Sequence, residues 1–124
     1  MDNITLFQHT KFSEDEVVSV LKQVHLYDEL GMSEALSREC GPEGALLSGG
    51  QKQRIEIARG LIRNKSLYLV DEATANLDSK NADLIRDILF NLKQPVIEVA
   101  HHFDNKETRY TEKLLLENGK LLDV

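Results

Sequence analysis

The sequence is poor in the residues that staple or punctuate a chain: 124 residues hold one cysteine, two prolines and no tryptophan. Cys40 alone cannot form an internal disulfide, so a reducing compartment is the expected setting. No Pro/Gly-rich linker, repeat or low-complexity tract interrupts the chain, and no internal boundary is visible. The longest uninterrupted apolar run is Leu67-Tyr68-Leu69-Val70, far short of the roughly 18 residues that a membrane span needs. Met1-Asp2-Asn3 is acidic and polar where a secretory leader carries a basic region, so no leader is expected. In that setting the Asn-x-Ser/Thr matches at Asn3 and Asn64 carry little weight. Basic residues are the minority, 15 Lys+Arg against 21 Asp+Glu, and the net charge of −6 disfavours binding to a nucleic-acid backbone. What is present, 41% hydrophobic and 29% charged residues, fits a cytoplasmic globular domain with a core of modest size rather than a disordered tail.

Ser13-Glu14-Asp15-Glu16 is a capping box, and Val17, Val18, Leu21 and Val24 share one face, which predicts a helix over roughly 14–25. Residues 26–46, broken by Gly31, Gly41, Pro42 and Gly44, read as short turns and loop. Ser48 and Gln51 repeat the capping box and open a helix to about Arg63, apolar along Ile55, Ala58, Leu61 and Ile62. Leu67–Val70 reads as a strand buried on both faces, as in a parallel sheet. Asp78 or Ser79 caps a third helix with Leu84, Ile85, Ile88, Leu89 and Leu92 on its stripe. Val96–Ala100 is a second strand, and Lys113 to Val124 a hairpin turning at Asn118-Gly119. This order predicts an α/β fold with a right-handed βαβ unit and functional groups at the carboxyl ends of its strands.

Three places carry chemistry. Leu47-Ser48-Gly49-Gly50-Gln51 puts a hydroxyl and two glycines at a helix start, where free N–H groups and the helix dipole favour an anion; a glycine-rich N-cap is the plainer reading. Asp71-Glu72 follows the apolar strand, suited to hold Mg²⁺ through water and to activate a water; a solvated acidic loop is the alternative. His101 ends the next strand, within reach of a phosphate. A metal site of His101, His102 and Asp104 is a weaker reading, because neighbours on an extended chain point opposite ways.

Together these residues resemble the ATP-binding-cassette (ABC) proteins. Leu47–Gln51, continued by Lys52 to Arg59, is similar to the LSGGQ signature. Leu67–Glu72 resembles the Walker B strand with its catalytic glutamate, Ala75-Asn76-Leu77-Asp78 the D-loop, and His101 the switch histidine. The order and spacing cover nearly the whole chain, with Asn3–Phe7 similar to the segment entering the helical subdomain, and the flavour is that of exporters. The resemblance implies part of a P-loop NTPase, RecA-like core plus the ABC helical subdomain: about 8–63 the helical subdomain and signature helix, about 64–124 the Walker B half. In the complete family member two cassettes pack head to tail beneath transmembrane domains at the cytoplasmic face of a membrane. It implies that Ser48, Gly49, Gly50 and Gln51 bind the γ-phosphate of the partner's ATP. Asp71 then holds Mg²⁺, Glu72 activates water, His101 steadies the γ-phosphate and Asp78 organises the dimer interface.

The departures are as definite. The motif G-x-x-x-x-G-K-[ST] is missing: the only Gly-Lys pair, Gly119-Lys120, is followed by Leu121. The Q-loop glutamine and the adenine-stacking aromatic are also missing, Gly41-Pro42-Glu43-Gly44 has proline where exporters often carry glutamate, and His102 stands in place of a frequent arginine. The expectation is the carboxyl-terminal part of an exporter-type ATPase domain that neither binds ATP tightly nor hydrolyses it alone. A non-catalytic module offering its signature face to a complete cassette is the alternative, and a DNA-repair or chromosome-organising ATPase the third reading. With the Walker A strand, expected beside Leu67–Val70, absent from the sequence, the isolated chain is expected to self-associate.

Overall fold

The computed structural model describes every residue except 9, 104 and 105, and for Ser33 the backbone alone. A short helix α1 (Asp2–Thr5) precedes α2 (Glu14–Gln23); 3-10 turns at Met32–Glu34 and Pro42–Gly44 lead to α3 (Gly49–Leu61). Then come β1 (Tyr68–Asp71), α4 (Ser79–Phe90), β2 (Val96–Val99) and the hairpin β3 (Leu114–Glu117) and β4 (Lys120–Asp123).

Each long helix begins where its side chains cap it. Ser13 Oγ accepts the N–H of Glu16, and Glu16 returns a carboxylate to the N–H of Ser13 at 2.8 Å. Ser48 and Gln51 make the same reciprocal pair at α3, and Asp78 takes the N–H of Asn81 at α4. Such caps satisfy backbone donors that the first helical turn leaves unpaired. The apolar stripes then pack together. Val17, Leu21, Val24, Leu26 and Ala58 are almost completely buried, and Ile4, Ile55, Leu61, Ile62 and Ile88 complete one core. Ala73, Ile85 and Leu89 form a smaller one, joined to the first through the partly buried Ile57 and Leu92. Each fully buried aliphatic side chain contributes about 1.5–3 kcal/mol.

β1 and β2 pair in parallel, Tyr68 with Val96 through Asp71 with Val99, and α4 is the crossover. The expected burial of this strand on both faces is not found. Tyr68, Val70, Val96 and Glu98 are half-buried, whereas Leu69 is 76% exposed, Ile97 53% and Val99 58%. The physical reason is that helices cover one face of a two-stranded sheet and nothing among the described residues covers the other. The hairpin turns at Asn118 and Gly119, both at positive φ, as an Asn-Gly two-residue turn requires, and both of its strands are exposed throughout. Between His101 and this hairpin the chain is tied to α4: Arg109 lies over the Phe90 ring and bonds Asp87 at 2.6 Å, while Tyr110 packs edge-on to Phe90.

Candidate functional site

Parallel pairing brings the ends of β1 and β2 level, and it is there that two of the expected residues meet. His101 Nε2 lies 2.9 Å from Glu72 Oε1, a distance at which an imidazole N–H donates to a carboxylate. The backbone turns sharply to allow it. Glu72 has φ 49°, a left-handed conformation that costs a non-glycine residue about 1–3 kcal/mol and clusters at functional sites. Its N–H is held by Val99 O at 2.8 Å and its own carbonyl accepts from Ala75. Asp71 precedes it on the exposed face of β1. A cleft of about 190 Å³ beside β1 is lined by residues that include Ile57, Leu61, Tyr68, Val70 and Asp71, whereas Glu72 and His101 do not line it.

The second group of expected residues stands at the start of α3. Ser48 Oγ accepts the N–H of Gln51 at 3.1 Å, and Gln51 Oε1 accepts the N–H of Ser48 at 3.0 Å. Ser48 and Gly49 are exposed, and the N–H groups of Gly49 and Gly50 have no protein acceptor among the described residues. Gly50 is buried against α4, where a Cβ would come within 2.3 Å of Asn81 Oδ1. A side chain at 50 would therefore force the Asn81 side chain to move. Asp78 stands on the other side of this junction. Its carboxylate accepts from Asn81 at both backbone and side chain, and these bonds, the side-chain one foremost, hold it below the usual carboxylate range. No hydrogen bond or ion pair among the described residues joins the Ser48–Gln51 group to the Glu72–His101 pair.

Sequence reasoning missed Arg54 and Glu29. Arg54 is 2% exposed, donates to Gly50 O at 3.3 Å and His25 O at 3.0 Å, and forms an ion pair with Glu29 at 2.7 Å. Glu29 also accepts Gln51 Nε2 at 2.8 Å. The Arg54 guanidinium holds the Glu29 carboxyl below its ordinary value, with burial opposing and the Gln51 amide assisting. The available signal was an arginine on the buried side of an amphipathic helix, one turn past Gly50. A site of His101, His102 and Asp104 gains no support: Asp104 lies outside the described residues, and among the described residues no three His, Cys, Asp or Glu side chains gather as metal ligands. Gly119-Lys120 joins the hairpin turn to β4, not a strand to a helix, as a phosphate-binding loop would need.

Residues 2–75 match the family model described as ABC transporter. The chain belongs to the ABC transporter family. Leptomycin B resistance protein pmd1 of Schizosaccharomyces pombe is 37% identical over 107 residues, covering 84% of this chain and 8% of that protein. The ATP-dependent lipid A-core flippase of Francisella novicida is 32% identical over 125 residues, 98% of this chain and 21% of that one. A bacterial Atm1-family ABC exporter solved with ATP bound superposes with a TM-score of 0.65 at 32% identity, over 82% of this chain and 18% of that chain. The chain thus matches an exporter-like nucleotide-binding domain and spans about a fifth or less of these proteins. Among the described residues no helix is long and apolar enough to cross a membrane. The mixed α/β architecture with parallel strands is that of the family's ATPase fold, as expected.

Proposed function

We propose that these residues are the signature and Walker B half of an exporter-type ABC ATPase domain, and that they act in ATP-driven export once a P-loop is supplied. On this reading 8–63 belong to the helical subdomain and signature helix, and 64–124 to the core. The observation that carries it is the contact of Glu72 with His101 at the aligned ends of two parallel strands, with the exposed Ser48 and Gly49 at the start of a capped helix. Asp71 would hold Mg²⁺ through water, and the metal when bound neutralises charge on the phosphates. The Glu72 carboxylate takes the proton of the attacking water, and His101, on releasing its bond to Glu72, steadies the γ-phosphate. The N–H groups of Gly49 and Gly50, with the Ser48 hydroxyl, bind the γ-phosphate held by a second cassette, Gln51 shaping that surface. Asp78, at the neighbouring helix start, borders the same dimer interface. That no hydrogen bond or ion pair among the described residues joins the two groups fits this division of labour between two nucleotides. No nucleic acid is involved.

The 124 residues alone should take up no Mg-ATP at micromolar concentration, because a P-loop normally supplies most phosphate contacts. Calorimetric titration checks this, and a saturable micromolar site would contradict it. Joining residues 1–124 to the P-loop half of a relative such as the lipid A-core flippase tests the reading itself. The joined cassette should bind and hydrolyse ATP, and Ser48→Arg should bind it yet fail to hydrolyse it, since a long cation fills the phosphate position. Full hydrolysis by Ser48→Arg would sink the proposal.

The isolated chain should also self-associate through the bare face of Leu69, Ile97 and Val99 and the exposed hairpin, because contiguous apolar surface and open strand edges recruit partners. Sedimentation at micromolar concentration should show species above 14.1 kDa, reduced by Leu69→Lys with Ile97→Lys. A monodisperse 14.1 kDa species would contradict it.

A further inference from the structure

The structure assigns Glu29 as a positioning residue for the Ser48–Gln51 surface, one that fixes the direction of the Gln51 amide and through it the cap at the start of α3. The inference rests on the reading that this surface meets a nucleotide phosphate.

An ionised carboxylate accepts hydrogen bonds and donates none. Glu29 Oε1 lies 2.8 Å from Gln51 Nε2, so it compels the amino side of that amide to face it. The oxygen side must then face Ser48, where Oε1 takes the backbone N–H at 3.0 Å. The same carboxylate receives Arg54 Nη2 at 2.9 Å and lies 2.7 Å from Nη1. Arg54 in turn grips the carbonyls of Gly50 and His25. One side chain from the loop after α2 thereby fixes both the cap and the first turn of α3, where Gly49 is exposed and the N–H groups of Gly49 and Gly50 have no protein acceptor among the described residues. Its negative charge is matched by the buried Arg54 guanidinium, so the carboxylate orients the surface without repelling an anion on it. Without Glu29 the amide can turn over, and an amino group facing the Ser48 N–H would undo the cap.

The test begins with the 124-residue chain, its glutamine side chains labelled with ¹⁵N. The Gln51 side-chain amide should show a downfield proton of a donor to carboxylate, lost in Glu29→Ala and partly kept in Glu29→Gln, which retains an acceptor oxygen. An amide signal unchanged by Glu29→Ala overturns the inference. In the joined cassette, Glu29→Ala should leave the Kd for ATP unchanged and lower kcat at least tenfold, with partial rescue by Glu29→Gln. If Ser48→Arg silences hydrolysis while Glu29→Ala runs at the parent rate, the role of Glu29 is overturned and the function of the surface stands. If both run at the parent rate, both fall.

Discussion

In the joined cassette, Glu72→Gln should slow ATP hydrolysis about 100- to 10,000-fold, the usual worth of a positioned general base, while ATP remains bound. The amide matches the carboxylate in size and still accepts a hydrogen bond from His101, now 2.9 Å away, but it cannot take a proton from water. The left-handed backbone at Glu72 aims the side chain at β2, so the geometry survives the substitution and the loss is chemical. Single-turnover phosphate release alongside nucleotide retention measures both halves. Parent-rate hydrolysis by Glu72→Gln would remove Glu72 from the mechanism.

The largest effect on stability should come from Arg54→Leu. Its guanidinium is buried and satisfies the carbonyls of Gly50 and His25 as well as Glu29. Leucine fills part of the volume but strands those acceptors, at about 1–3 kcal/mol each for a buried group. Because the Glu29 side chain is 41% exposed and can turn to water, the total loss should be about 3 kcal/mol, below the upper end for breaking a buried pair. Against a typical 5–15 kcal/mol that is a large share, and the thermal midpoint should fall by roughly 10 °C or more. Arg54→Lys should recover only part, since an ammonium lacks the planar fork that reaches Glu29 and the carbonyls of Gly50, Val24 and His25. A midpoint within about 2 °C of the parent for Arg54→Leu, well under the shift expected for 1 kcal/mol, would show that the buried network contributes little.

Local signals and long-range ones were legible to different degrees. The caps at Ser13, Ser48 and Asp78, the Asn118-Gly119 turn and the stripe of α3 depend on residues within a few positions of one another, and each stands as the sequence implied. In α2 and α4, by contrast, Val18 and Leu84 are half-buried and Val20 and Ala82 are buried instead. Glu72 and His101 were placed at strand ends by pattern, but their contact depends on the pairing of Asp71 with Val99 across an intervening helix. Arg54 was invisible as a staple because its partners lie 25 and 29 residues upstream in an irregular loop. Helix α1 is four residues long, too short for periodicity, and persists by packing on α3 through Ile4. The apolar run Leu67–Val70 suggested two covered faces, yet hydrophobicity reports what a strand tolerates, not which neighbours the chain supplies.

The central claim is that the Ser48–Gln51 surface of one cassette serves the nucleotide of another, and mixing two defective joined cassettes tests it most directly. One carries Ser48→Arg with its P-loop intact; the other keeps Ser48 but lacks the P-loop lysine. Each alone should be silent. Mixed, they should regain hydrolysis, because one composite site then unites an intact P-loop and Glu72 with an intact signature surface from the partner. Silence of the mixture, with both proteins folded and the first still binding ATP, would contradict the account.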